Sequence, residues 1–246
     1  NTDFIRTTEE RHKKTVQHLW KELEKNDDIY LSKYSGWYSV SDEAFYTEEE
    51  ISEKEDIKIA TTSGSPVEWI EEESYFFRLS KWQDSLLEYY ENNPDFISPK
   101  SRKNEVISFV KSGLKDLSIS RKAFSWGIKV PNNPEHVIYV WLDALTNYIS
   151  ALNYPNTDDD LFKNFWPASV HLIGKDILRF HAVYWPAFLM AAKITLPNKV
   201  YGHGWILSGD EKMSKSKGNI LDPLDIIETY GLDPLRYYLI KEVSFG

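Results

Sequence analysis

The chain of 246 residues contains no cysteine. That excludes disulfides, thiolate metal centres and a cysteine nucleophile, and it suits a reducing compartment. No apolar run approaches the roughly 18 residues that cross a bilayer, and Asn1-Thr2-Asp3-Phe4 lacks the character of a signal peptide. Positive charge is in deficit. The 29 Lys and Arg against 38 Asp and Glu give a net charge of −9, which argues against wholesale coating of nucleic acid and leaves room only for a local basic patch. The first residue is not Met, which fits an excised piece of a longer protein. What is abundant is aromatic: nine Trp, fifteen Tyr and twelve Phe, within a 41% hydrophobic share that supports a core of one large domain or two smaller ones.

The first third opens on a helix. Thr7 or Thr8 can cap it, Glu9 and Glu10 suit its first turn, and Val16, Leu19, Trp20 and Leu23 fall on one face. His12 and His18 read as surface residues of this helix, since no chelating neighbour stands beside them. From Asp28 to about Ser118 the texture changes. Tyr34 to Tyr38 and Tyr75 to Leu79 alternate like strands. Between them Asp42 to Asp56 carries eight acidic residues, most simply a solvated surface, and Thr61 to Pro66 is a turn by composition. Ser80 reads as the cap of a helix through Tyr90, stopped by Asn92-Asn93-Pro94. A second helix is expected over Asn104 to Leu114, within a basic stretch (Lys100, Arg102, Lys103, Lys111, Lys115) that can meet nucleic-acid phosphates.

From His136 onward strands and helices alternate. Val137 to Trp141 and Ser169 to Ile173 are strand-type runs, each followed by helical spacing, over Asp143 to Leu152 and Asp176 to about Ala192. Lys199 to Tyr201 begins a third strand. The pattern predicts an α/β fold with a parallel sheet covered on both faces. Ligands of such sheets sit beyond the carboxyl ends of the strands, here Trp141 to Asp143, Gly174-Lys175-Asp176 and the turn after Tyr201. Trp141, Ala144, Leu145 and Tyr148 share one helical face, and Ile177, Phe180, His181 and Tyr184 repeat the spacing. On spacing alone these read first as core packing. They also suit a pocket for a thioether, whose soft sulfur favours aromatic walls. Gly174 lets a ligand approach the backbone, while Asp176 can cap a helix or accept from a ribose hydroxyl. Pro186, ten residues into its helix, should kink it.

Lys212-Met213-Ser214-Lys215-Ser216-Lys217-Gly218-Asn219 is a short cationic loop with free backbone and hydroxyl donors. It can close over a polyphosphate, or it is a solvated charge run. Asp222-Pro223 then starts a helix that Gly231 stops, and Asp233-Pro234 starts another through Glu242.

Lys-Met-Ser-Lys-Ser resembles the second signature of class I aminoacyl-tRNA synthetases. With Asp3 to His12, Tyr139 to Leu145, His171 to Asp176 and Phe180 to Pro186, the whole chain resembles the methionyl-tRNA synthetase family of bacterial or organellar type. The resemblance implies a methionine pocket of Trp141, Ala144, Leu145, Tyr148, Ile177, Phe180 and His181. It implies ATP contacts from Gly174, Asp176, Ile206, Lys212, Ser214 and Lys215, with Lys212 and Lys215 catalytic. ATP with Mg2+, methionine and tRNA(Met) follow as substrates and partners, with no membrane, in a bacterial cytoplasm or an organellar matrix.

In the family's layout residues 1–28 end a first catalytic half and 29–118 form a connective-peptide insertion of mixed α+β type. Residues 119–221 form a second Rossmann-like half, and 222–246 begin the stem-contact helices. Zinc-binding relatives carry cysteines where Ser39, Asp42, Ala60 and Ser63 stand here, so no metal is expected. The half with the His-Ile-Gly-His signature and the anticodon-binding domain are expected outside this chain, which alone would then be inactive. Two other readings stay open: an inactive fold or RNA-binding piece, and a related synthetase for leucine, isoleucine or valine.

Overall fold

A computed structural model describes residues 3–39, 44–54, 57–61, 63–123, 125–205, 207–208, 211–213 and 220–242. Helix α1 spans Glu10–Lys25. It starts later than the threonines suggest, because Thr7 and Thr8 lie in a turn closed by the Glu9 N–H donating to the Arg6 carbonyl at 2.9 Å. Its apolar face is as the spacing predicts: Val16, Leu19, Trp20 and Leu23 are all fully buried. The expectation for His12 fails. It is equally buried, because it lies one turn ahead of Val16 on that same face. His18 is half-buried, with its ring edge against Tyr154 at 5.6 Å.

Strands β1 (Ile29–Ser39) and β5 (Glu68–Phe77) pair antiparallel from Ile29↔Phe77 to Tyr38↔Glu68. Between them come β2 (Ala44–Tyr46), beside β1, and the β3 (Ile51–Lys54) and β4 (Ile57–Ala60) hairpin. A 3-10 turn over Leu79–Trp82 precedes α2 (Gln83–Asn92). Ser80 does not cap that helix. Its N–H and hydroxyl both donate to Asp116 Oδ1, at 3.1 and 2.6 Å. Strand β6 (Ile97–Ser98) and α3 (Lys100–Lys111) follow, four residues ahead of the expected helix start.

Four short strands come next: β7 (Leu117–Ser118), β8 (Ser120–Arg121), β9 (Lys129–Val130) and β10 (Asn133–Ile138). β7 extends the first sheet to the order β2–β1–β5–β7, and the others form an antiparallel sheet β8–β10–β9. The run beginning at Val137 therefore does not join the parallel sheet, and it stops at Ile138. Its apolar content reports burial (Val137 and Ile138 are 1% and 3% exposed) and says nothing of the direction of its partners. Helix α4 (Val140–Ser150) already contains Trp141.

After α5 (Asp160–Phe165), β11 (His171–Gly174) leads through a 3-10 turn, Lys175–Ile177, into a π-helical segment, Phe180–Tyr184, and then α6 (Trp185–Ala191). Pro186 lies at the start of α6, directly after the π-helical turn. A residue at 186 would ordinarily donate its N–H to the Ala182 carbonyl; proline has none, and the Tyr90 hydroxyl of α2 donates to that carbonyl at 2.6 Å. Strand β12 (Val200–His203) completes the parallel sheet, ordered β11–β12–β6. The segment expected as an insertion thus reaches into the parallel sheet with Ile97–Ser98. The fold is α/β, one parallel sheet beside antiparallel ones.

The chain closes with the β13 (Leu207–Ser208) and β14 (Glu211–Lys212) hairpin, then α7 (Pro223–Tyr230) and α8 (Leu232–Glu242). As the sequence suggests, Asp222 caps α7, accepting from Leu224 N at 2.8 Å, and Gly231 ends it with φ of 92°. Among the described residues no helix is long and apolar enough to cross a membrane.

Candidate active site

The two aromatic faces meet. Trp141 of α4 stacks on Phe180 of the π segment, ring centroids 3.6 Å apart and planes within 9°. Two turns further along α4 the Tyr148 hydroxyl lies 2.8 Å from His181 Nε2. His181 Nδ1 lies 3.0 Å from the Ile177 carbonyl, which can only accept, so Nδ1 carries the hydrogen. Burial lowers the His181 pKa and raises that of Tyr148, favouring the neutral forms. In that state Tyr148 donates and His181 Nε2 accepts, which fixes both rings. Trp141, Ala144, Tyr148, Ile177 and Phe180 are half-buried, whereas Leu145 is sunk in the core.

Two rings that the spacing argument passed over complete this wall. His171, at the start of β11, lies 4.0 Å from the Tyr148 ring, and Trp185 lies 6.4 Å from it on the side of α6. Trp185 continues the face at i+8 from Ile177, a signal that extending the helical count would have caught. Spacing gave none for His171, whose position depends on sheet pairing; its only mark in the sequence is that it opens the family stretch His171 to Asp176. Burial, reinforced by His181, lowers the His171 pKa to about 4, and its Nε2 is buried without a hydrogen-bond partner among the described residues. Arg121, unmarked by any motif, sets its guanidinium 5.0 Å from the Tyr139 ring, immediately ahead of α4. Its Nη1 donates to Ser118 Oγ and the Ser120 carbonyl, each at 2.7 Å.

Next to the aromatic wall are the carboxyl ends of two parallel strands, Gly174 of β11 in register with His203 of β12. A Cβ on Gly174 would stand 2.5 Å from Asp176 Oδ1 and 3.9 Å from His203 Cε1, so any side chain there would push the Asp176 carboxylate out of its present place. Asp176 is exposed at the strand end. Lys175 places its ammonium 3.8 Å from the centre of the Trp205 ring, tying the β11 turn to the segment after β12. From there the β13–β14 hairpin leads to the lysine-rich loop. Ile206, Ser214 and Lys215 lie outside the described residues, as does Asp42; of Lys212 only the backbone, paired with Leu207, is described.

The family profile for "tRNA synthetases class I (M)" matches residues 1–246. The chain is 63% identical over its whole length to a methionine–tRNA ligase of Rickettsia prowazekii, covering 47% of that protein. It is 60% identical to one of Brucella suis, covering 48%. It therefore spans about half the length of the curated relatives it matches. Among solved structures, Mycobacterium tuberculosis methionyl-tRNA synthetase bound by methionyl-adenylate superposes with a TM-score of 0.92 at 53% identity, over 100% of this chain and 48% of that one. The apo form of the same enzyme gives a TM-score of 0.85. Motifs, fold and whole-length match agree: this chain belongs to the class I (M) tRNA synthetases.

Proposed function

We propose that the protein activates methionine with ATP and transfers it to tRNA(Met), and that this chain carries the methionine pocket and one side of the nucleotide site. The observation that carries the reading is the paired wall, Trp141 stacked on Phe180 beside the Tyr148–His181 hydrogen bond, next to the strand ends at Gly174 and His203. Flat rings suit an unbranched thioether better than a branched aliphatic side chain. The methionyl-adenylate bound by a relative 53% identical to this chain favours methionine over leucine, isoleucine or valine.

In this reading a methionine carboxylate oxygen attacks the α-phosphorus of MgATP and the bond to the bridging oxygen breaks. Pyrophosphate leaves with that electron pair. The ribose hydroxyl of the tRNA 3′-terminal adenosine then displaces AMP. Such chemistry asks for positioning and charge neutralisation rather than a protein nucleophile. Trp141, Ala144, Tyr148, Ile177, Phe180 and His181 hold the side chain, with Leu145 supporting α4 from the core. Gly174 and Asp176 receive the ribose, Ile206 borders the adenine, and Lys212, Ser214 and Lys215 engage the phosphates.

The segment layout 1–28, 29–118, 119–221 and 222–246 belongs to the same proposal, amended so that the insertion ends ahead of Ile97. With Ser39, Asp42, Ala60 and Ser63 at the cysteine positions of zinc-binding relatives, a tetrahedral thiolate site cannot form, and we read the insertion as zinc-free. The deciding experiment is methionine-dependent exchange of labelled pyrophosphate into ATP by the complete protein. Exchange that leucine supports equally well would refute it.

A further inference from the structure

The back of helix α4 holds a buried hydrogen-bond chain that the methionine reading does not use. His12 of α1 is fully buried, its Nε2 lies 2.7 Å from Asp143 Oδ1 and its Nδ1 lies 2.8 Å from Ser150 Oγ. Ser150 Oγ is in turn 3.1 Å from the Asn147 carbonyl. Asp143 and Ser150 are two helical turns apart, so one imidazole holds α4 near both its ends along a single stripe. Trp141, Ala144, Leu145 and Tyr148 occupy the opposite stripe. An apolar side chain would fill the same interior volume without the desolvation that a buried imidazole incurs. What an apolar residue could not do is fix α4 against sliding and rotation.

We infer that His12 is a positioning residue for the methionine pocket: by tying Asp143 and Ser150 to α1 it sets the rotation and height of α4, and so the placement of Trp141 and Tyr148 against Phe180 and His181. This rests on the methionine reading above. Asp143 also borders an open cavity of about 290 Å³ lined by Thr7, Thr8 and Lys13, which gives the carboxylate somewhere to turn once His12 is gone. A displacement of about 1 Å in a positioned group can cost on the order of 10²-fold in rate.

The test uses three variants in the complete protein. His12→Gln places an amide nitrogen near Nε2 and keeps Asp143; His12→Asn places one near Nδ1 and keeps Ser150; His12→Ala loses both. The readouts are KM for methionine and KM for ATP in pyrophosphate exchange, with hydrogen exchange of the amides of residues 140–150. We expect His12→Ala to raise the methionine KM about tenfold and leave the ATP KM within about twofold. We expect Gln to restore more than half of that loss on a logarithmic scale. If Ala fails to fold, the Gln and Asn pair decides: a methionine KM for at least one of them several-fold above wild type, with the ATP KM unchanged, supports the clamp. Methionine and ATP KM values that rise together, or a methionine KM unchanged in every folded variant, overturn it. A wild-type protein without methionine-dependent exchange removes the methionine reading instead. Hydrogen exchange then judges the clamp, which stands if Gln preserves protection of α4 that Ala or Asn loses, and falls if protection is equal in all.

Discussion

The Trp141 and Phe180 rings lie face to face at 3.6 Å between centroids, joining helix α4 to the π-helical segment across the candidate pocket. Neither residue is fully buried. Phe180→Ala should remove an interaction of about 0.5–1.5 kcal/mol along with its apolar contact. We expect the methionine KM to rise about tenfold with the ATP KM unchanged. An unchanged methionine KM in exchange assays would show that the stack is core packing only.

Tyr90 and Pro186 form a second pair whose relation is testable. Tyr90→Phe removes the hydroxyl that donates to the Ala182 carbonyl, leaving a buried acceptor. The loss should be about 1–3 kcal/mol, a melting shift of several degrees at roughly 2–4 °C per kcal/mol for a chain of this size. A shift below about 1 °C would mean that the carbonyl finds another donor.

His171 makes stability pH-dependent with a definite sign. Its folded pKa is lowered to about 4 from 6.5, chiefly by burial and then by His181, so between those values the unfolded chain binds more protons. The stabilisation is fully present above pH 6.5 and is lost as pH falls through about 4; it amounts to roughly 3 kcal/mol. His181, lowered in the same direction, adds to it. Denaturant melts from pH 7 to 4 should show the decline, and His171→Phe should flatten it. A decline of equal size in that variant would place the acid sensitivity elsewhere.

The lysine-rich loop predicts a kinetic split. Lys215→Ala should slow adenylate formation by about 10²-fold, the cost of one charge aimed at a transition state. Methionine affinity should hold within about twofold. Equal losses in both, measured by single-turnover adenylate formation and equilibrium binding, would remove the assignment.

Where a side chain's role depends on its own helix, it was legible in the sequence. Val16, Leu19, Trp20 and Leu23, the Asp222 cap and the two aromatic faces all follow from local periodicity. What escaped depends on partners distant in the chain. His12 read as surface because its partners, Asp143 and Ser150, lie more than a hundred residues away. Ser80 read as a cap because Asp116 could not be seen beside it. Val137 read as part of a parallel sheet because an apolar run is silent about strand direction, and Ile97–Ser98 was too short to register as the third parallel strand.

The most direct measurement is the amino-acid dependence of ATP–pyrophosphate exchange by the complete protein. The account predicts exchange with methionine at a kcat/KM at least about 10²-fold above that with leucine, isoleucine or valine, and its loss on substituting Trp141 or His181 by alanine. Exchange indifferent to the amino acid, or absent with methionine while one of the others supports it, would contradict the account.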